Sequence, residues 1–348
     1  MAKPFIVGLA GTELTDNERA FLKENIPWGI ILFKRNCDRP DQLRVLTDAI
    51  RDVYGTAEVP ILIDQEGGRV QRLKSDHWRT YPAAASFYET YHHAPEKSLE
   101  YVRLNASLQA SELKKMGVTV NCAPMIDVRA PGAHDIIGDR AFSEDENEVA
   151  AYGQAVIQGH IDQGILPVIK HIPGHGRAKC DSHEDLPVVE SDLQTLQKDF
   201  KPFQILKDAP LAMTAHILYS VLDHKNCATL SSEVIKHVIR GMIGFNGLLM
   251  SDDISMKALK DDIKSLTRNI LAAGCDLVLH CNGHFDEMVQ ISDVIEAESD
   301  MLDFRTNQMW NKLFMQASPR ADDDLMQEYA ELSSEMLGLR VKQMAANQ

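Results

Sequence analysis

The chain has 348 residues, 44% of them hydrophobic and 25% charged, with a formal net charge of −15. That length and balance describe a folded globular protein of one large domain or two ordinary ones. With no local basic patch, the acidic surplus argues against a nucleic-acid partner, although a single pocket can still be locally basic.

The N-terminal "MAKPFIVGLAG" is too short and too poorly flanked for a signal peptide. No apolar run approaches the ~20 residues that a membrane-spanning helix needs. Six cysteines (Cys37, Cys122, Cys180, Cys227, Cys275 and Cys281) are scattered with no CxxC pair, which suits free thiols in a reducing compartment. A cytoplasmic protein with no membrane attachment is expected.

In chain order, strand-like runs read at "PFIVGLAG", "WGIILF", "VPILID", "VTVNCAP", "LPVIKH", "LAMTAH", "GLLMSDD" and "CDLVLHCN". They are nearly continuously apolar, the pattern of parallel strands covered on both faces. Helix-like stretches lie between them, at 17–24, 40–53, 97–115, 146–163, 231–242 and 257–273. Eight such runs alternating with helices predict a (β/α)8 TIM-type barrel, with an open doubly wound sheet as the competing architecture. The barrel is expected over 1–318, and residues 319–348 as a C-terminal helix packed on its outside.

Six runs finish in a residue able to hold a polar ligand or move a proton: Asp64, Asn121, Lys170-His171, His216, Asp252-Asp253 and Asn282. In a barrel these ends converge at the C-terminal mouth, where active sites of this fold lie. In an open sheet only those near the switch point would meet. The pattern therefore favours both the barrel and an enzyme.

The stretch "VIKHIPGHGRAKCDSHEDLP" is the densest in chemistry. His171, His175, Asp181, His183 and His216 are residue types that ligate zinc. However, the chain has neither an HxH at a strand end nor an HExxH, and Lys170 beside His171 would repel a cation, so no metal and no cofactor are expected. "PGHG" lacks the spacing of a phosphate-binding loop. His134, His224 and His284 read as solvated or packed residues without a role. What remains is one strand-end carboxylate, an Asp-x-His pair and several polar clamps, a set suited to displacement at a sugar carbon.

The segments "GIILFKRN", "IDQEGGRVQRL", "NCAPMIDV", "GDRAFSED", "KHIPGHGRAKCDSH", "MTAHILY", "GLLMSDDISM" and "AGCDLVLHCN" together resemble glycoside hydrolase family 3, in its branch of NagZ-type β-N-acetylglucosaminidases. Ile172 stands where that branch usually has an aromatic. The resemblance implies Asp252 as nucleophile, a choice over Asp253 that the strand period cannot make. It implies His183 as general acid/base with Asp181 as its partner, and Asp64, Arg72, Arg140, Lys170 and His171 as clamps on the sugar. Arg69 and Asp127 are expected to support these residues. The implied substrate is a carbohydrate, terminal N-acetylglucosamine on peptidoglycan fragments, handled by a monomer. A phosphorylase using the same residues and a non-catalytic sugar binder are the alternatives. Chemically, histidine titrates near neutrality and can protonate a leaving oxygen and then activate water without a tuned carboxylic acid. A neighbouring carboxylate fixes its tautomer. Gly174 and Gly176 are expected to let the loop swing His183 over the sugar.

Overall fold

The computed structural model describes residues 2–74, 76–88, 94–182, 184–295 and 300–346. Its centre is a closed barrel of eight parallel strands: β1 (Lys3–Gly8), β2 (Pro27–Leu32), β3 (Ile61–Ile63), β4 (Val120–Asn121), β5 (Leu166–Ile172), β6 (Leu211–Thr214), β7 (Leu248–Asp253) and β8 (Leu277–His280). Each pairs with its sequence neighbours, and β1 closes the ring against β8 through Phe5 opposite Val278. These are the eight apolar runs of the sequence. Every residue of β2 and β5 is buried, because side chains on one face fill the barrel and those on the other meet the helices.

The helices start and stop where the chain supplies caps. Thr15 closes a capping box with Glu18, and Asp145 and Asp192 accept backbone amides at the starts of Glu146–Gln163 and Leu193–Ile205. Left-handed glycines end Pro40–Tyr54, Glu146–Gln163 and Ile263–Ala273. One expected helix is shorter than its periodicity. The stretch from Lys257 becomes helical only at Ile263, because Asp262 caps the amide and hydroxyl of Ser265 at 3.0 and 2.7 Å. The residues before it form turns instead, and the Ala258 amide donates to the Ser182 carbonyl at 3.2 Å.

The C-terminal helix Asp322–Ala346 lies against Pro95–Lys115 through Leu325, Leu332 and Met336, which meet Tyr81, Leu104 and Leu108. Among the described residues no helix is long and apolar enough to cross a membrane.

Candidate active site

At the C-terminal mouth of the barrel lies a cavity of about 270 Å³, lined by Asp64, Glu66, Arg72, Arg140, Lys170, His171, His175, Ser182, Asp252 and Asp253 over an apolar floor that includes Ile31, Met213 and Leu279. A larger cavity, about 750 Å³, adjoins Ala209–Pro210 and Gly247–Leu248, which lead into β6 and β7. It therefore sits at the opposite end of the barrel, away from the strand ends that carry chemistry.

Lys170, on β5, is the centre of the site. Its ammonium is 3% exposed and sits 2.8 Å from Asp64 Oδ1 and 2.7 Å from Glu66 Oε1. Asp64 also accepts from Arg72 Nη2 at 3.1 Å. Glu66 receives a two-pronged contact from Arg140, with Nε and Nη2 at 2.9 and 2.8 Å. Burial works to raise both carboxyls, but the cations outweigh it. Lys170 and Arg72 hold Asp64 well below the usual carboxylate range, and Arg140 and Lys170 hold Glu66 down at about 2. In the same way burial works against the charged forms of Lys170 and Arg140, yet Asp64 and Glu66 leave Lys170 raised, and chiefly Glu66 leaves Arg140 raised. All four groups are therefore ionised across the physiological range. They form an alternating lattice of donors and acceptors, suited to the hydroxyls of an uncharged polyol.

The turn that presents this lattice is built from "DQEGGRVQR". Asp64, Gln65 and Glu66 are extended, so the two carboxylates two residues apart share one face while Gln65 points away. Gln65 is scaffold: its side-chain oxygen takes the amides of Arg72 and Leu73 at 2.9 and 3.1 Å, folding the Gln65–Gly67 and Val70–Gln71 ribbon. Gly67 has φ +112°, and a Cβ there would lie 2.3 Å from the Pro82 carbonyl oxygen. Arg69 donates to the Ile136 carbonyl at 2.8 Å and pairs with Asp139 at 3.1 Å, holding the segment that delivers Arg140.

His171 is fixed by Asp127, which takes its backbone amide at 3.2 Å and its ring Nδ1 at 2.7 Å. The ring's Nδ1–H then donates, leaving Nε2 as the atom that can meet a ligand. Asp127 also takes the His175 amide at 2.5 Å. Buried, and beside His171, the His175 imidazole is pushed down to about 4 and stays neutral.

Of the residues singled out in the sequence, Asp64, Arg72, Arg140, Lys170, His171 and Asp252 all line this one cavity. Asp181 does not line it; its carbonyl closes a turn onto the amides of Glu184 and Asp185 at 2.9 and 3.1 Å, and its neighbour Ser182 reaches the cavity instead. His183 lies outside the described residues. Three of the strand-end polar residues serve the scaffold. Asn121 bonds both main-chain groups of Gln65, His216 bonds Thr229 and the Asp253 carbonyl, and Asn282 bonds Glu287. Glu66 was not among the expected clamps. Its spacing of two from Asp64 was the available signal, but reading it required knowing that the chain stays extended past the strand end.

The loop after β5 also departs from expectation. Its first half, Gly174 to Ala178, is almost wholly buried rather than loosely held. A Cβ on Gly176 would fall 1.7 Å from the Val128 carbonyl oxygen, so this glycine permits a close backbone approach and not a hinge. The Gly176 carbonyl accepts from Ala130 at 3.0 Å, and the Ala178 carbonyl from His134 at 2.8 Å.

Comparison with known proteins agrees with this geometry. Residues 6–308 match the family described as glycosyl hydrolase family 3 N terminal domain. A beta-hexosaminidase of Thiobacillus denitrificans is 37% identical over 286 residues, which cover 80% of this chain and 78% of that protein. One of Xanthomonas oryzae pv. oryzae is 38% identical over 284 residues, covering 80% and 83%. The crystal structure of NagZ from Neisseria gonorrhoeae in complex with N-trifluoroacetyl-D-glucosamine aligns with a TM-score of 0.83 and 28% identity, covering 97% of this chain and 98% of that one. Fold and site thus define a barrel glycoside hydrolase. The chain belongs to glycosyl hydrolase family 3.

Proposed function

We propose that the chain is a retaining exo-β-N-acetylglucosaminidase. It would remove β-1,4-linked N-acetylglucosamine from the non-reducing end of anhydro-muropeptide fragments of peptidoglycan, as a cytoplasmic monomer in cell-wall recycling. The observation that carries this reading is Asp252 facing a buried lattice of Asp64, Glu66, Lys170, Arg72, Arg140 and His171 in a cavity of about 270 Å³. That volume lies near the small end of ligand pockets, roughly 300–1,000 Å³, and suits a single ring. The relatives named beta-hexosaminidase and the N-acylated glucosamine held by the gonococcal protein support the sugar.

In this mechanism the lattice binds the ring hydroxyls and the N-acetyl group. The Asp252 carboxylate attacks the anomeric carbon from one face as His183, oriented by Asp181, gives its proton to the departing oxygen on the other. The bond to the leaving group breaks and a glycosyl ester forms on Asp252. His183, now neutral, takes a proton from water, whose oxygen attacks the same carbon and releases Asp252. Because Lys170 fills the centre of the polar cluster, no metal is needed, and activity should survive exhaustive chelation. Arg72, Arg140 and Lys170 are each committed to a carboxylate, which favours water over phosphate as the acceptor.

His183→Ala tests the reading with two leaving groups. A nitrophenolate needs little protonation, so its first-turnover release should fall only modestly. A sugar leaving group needs the proton, and its loss should be on the order of 10²–10⁴-fold. Deglycosylation should slow for both, giving a burst with the nitrophenyl substrate. Equal losses with no burst would reduce His183 to a sugar-binding residue.

A further inference from the structure

The turn from Gly174 to Arg177 is anchored to helix Leu193–Ile205 by one residue, Asp199. Its side chain is 1% exposed, and its Oδ2 accepts from Arg177 Nε at 2.6 Å. A Cβ on Gly174 would lie 2.8 Å from Asp199 Cβ, so the first residue of the turn packs closely against Asp199 while the last is ion-paired to it. Two further contacts seat the same turn. The Tyr219 hydroxyl donates to the Gly174 carbonyl at 2.6 Å, and Asp127 takes the His175 amide at 2.5 Å. One side of the turn therefore lines the cavity with His175, while the other is fastened by Arg177 to a helix outside the barrel wall. The segment carrying Asp181 and His183 leaves four residues beyond that fastening.

Stability alone does not account for this pair. Removing two charges from water costs about as much as their attraction returns, and an apolar pair of the same shape usually does as well. Here the arrangement is poorer still, because Asp199 Oδ1 has no hydrogen-bond partner among the described residues. Burial lifts the Asp199 carboxyl to about 6, with Arg177 pulling it down and Asp127 and Glu146 pushing it up.

We propose that Asp199 and Arg177 are positioning residues for proton transfer, setting the root from which the Asp181–His183 segment reaches the sugar. The proposal rests on the reading of His183 and Asp181 as the acid/base pair. Neither Asp199 nor Arg177 lines the cavity, so their effect must travel through the turn.

The test compares Arg177→Ala, Arg177→Lys and Asp199→Asn with His183→Ala, measuring steady-state kcat and KM with an N-acetylglucosamine disaccharide and first-turnover release with the nitrophenyl N-acetylglucosaminide. Misplacing the proton donor should cut kcat for the disaccharide on the order of 10²-fold. KM should stay within about threefold, since the sugar clamps are untouched. Release of nitrophenolate should stay near wild type, and Arg177→Lys, which keeps a donor, should recover part of the loss. Should Asp199→Asn fail to fold, Arg177→Ala removes a side chain that is 21% exposed and gives the same readout. If Arg177→Ala lowers both substrates equally, or neither, while His183→Ala still discriminates, the positioning role is wrong and the acid/base reading stands. If His183→Ala does not discriminate, the reading falls and the positioning role with it.

Discussion

The Asp253 amide donates to the Asp252 carboxylate at 2.8 Å, and beyond that contact the two neighbours diverge. Asp253 is committed to the scaffold. Its Oδ1 takes the amides of Ser255 and Cys281 at 3.1 and 3.0 Å, its Oδ2 takes the Ser255 hydroxyl at 2.6 Å, and its carbonyl takes His216. A carboxylate held by this many donors is poorly placed to attack carbon.

Asp252→Asn should therefore remove nearly all turnover, whereas Asp253→Asn should retain substantially more and lose about 1–3 kcal/mol of stability through broken backbone contacts. Kinetics and thermal melting separate the two. A 2-fluoro glycosyl donor should label the peptide containing Asp252. A label elsewhere, or an inactive Asp253→Asn with normal stability, would reverse the assignment.

Glu66→Gln should weaken substrate binding, because Lys170 and Arg140 lose the charge that aims them. Removing one partner of a buried charge pair costs about 3–5 kcal/mol of folding stability, so the variant should melt lower, and kcat/KM should fall mostly through KM. Both limbs of the pH–rate profile should remain, since a carboxyl held at about 2 is not the group titrating near neutrality. Loss of one limb in this variant would make Glu66 the acid.

His160 predicts how stability follows pH. It is fully buried, with Nδ1–H donating to the Val156 carbonyl at 2.9 Å and Nε2 accepting from Asn121 Nδ2 at 2.7 Å. Protonation would set two donors against each other. Burial holds its folded pKa at about 4, below the ordinary 6.5, so its stabilisation is complete above pH 6.5 and is lost as pH falls toward 4. The shift corresponds to an effect on the order of 3 kcal/mol. His160→Gln should flatten the fall in melting temperature across that window. An unchanged slope would mean that His160 takes up its proton as readily in the folded protein as in the unfolded chain.

Gly176→Ala should destabilise by about 1–3 kcal/mol, because the new methyl meets a backbone carbonyl that cannot move aside cheaply. It should also lower activity, since the displaced turn carries His175. A variant with wild-type melting and turnover would show that the turn has slack and would restore the hinge interpretation of this glycine.

The sequence by itself determined the barrel and where its chemistry lies. Eight apolar runs of strand length alternating with amphipathic stretches leave few ways to bury both faces, and a parallel ring with outer helices is one of them. Because strands point the same way, residues such as Asp64, Lys170 and Asp252, separated by 82 to 188 positions, had to arrive at one mouth. What tertiary structure alone decided was which polar residue faces the ligand and which holds the wall. Asn121, His216 and Asn282 carry the same chemistry as their neighbours at the strand ends, yet their partners (Gln65, Thr229 and Glu287) are spatial and leave no mark in local sequence. The same is true of Glu66, whose role depends on an arginine 74 positions away, and of Gly176, whose neighbour is the Val128 carbonyl. Period and composition report what a segment buries; a hydrogen bond across the fold depends on where two segments end up, and only the packed molecule specifies that.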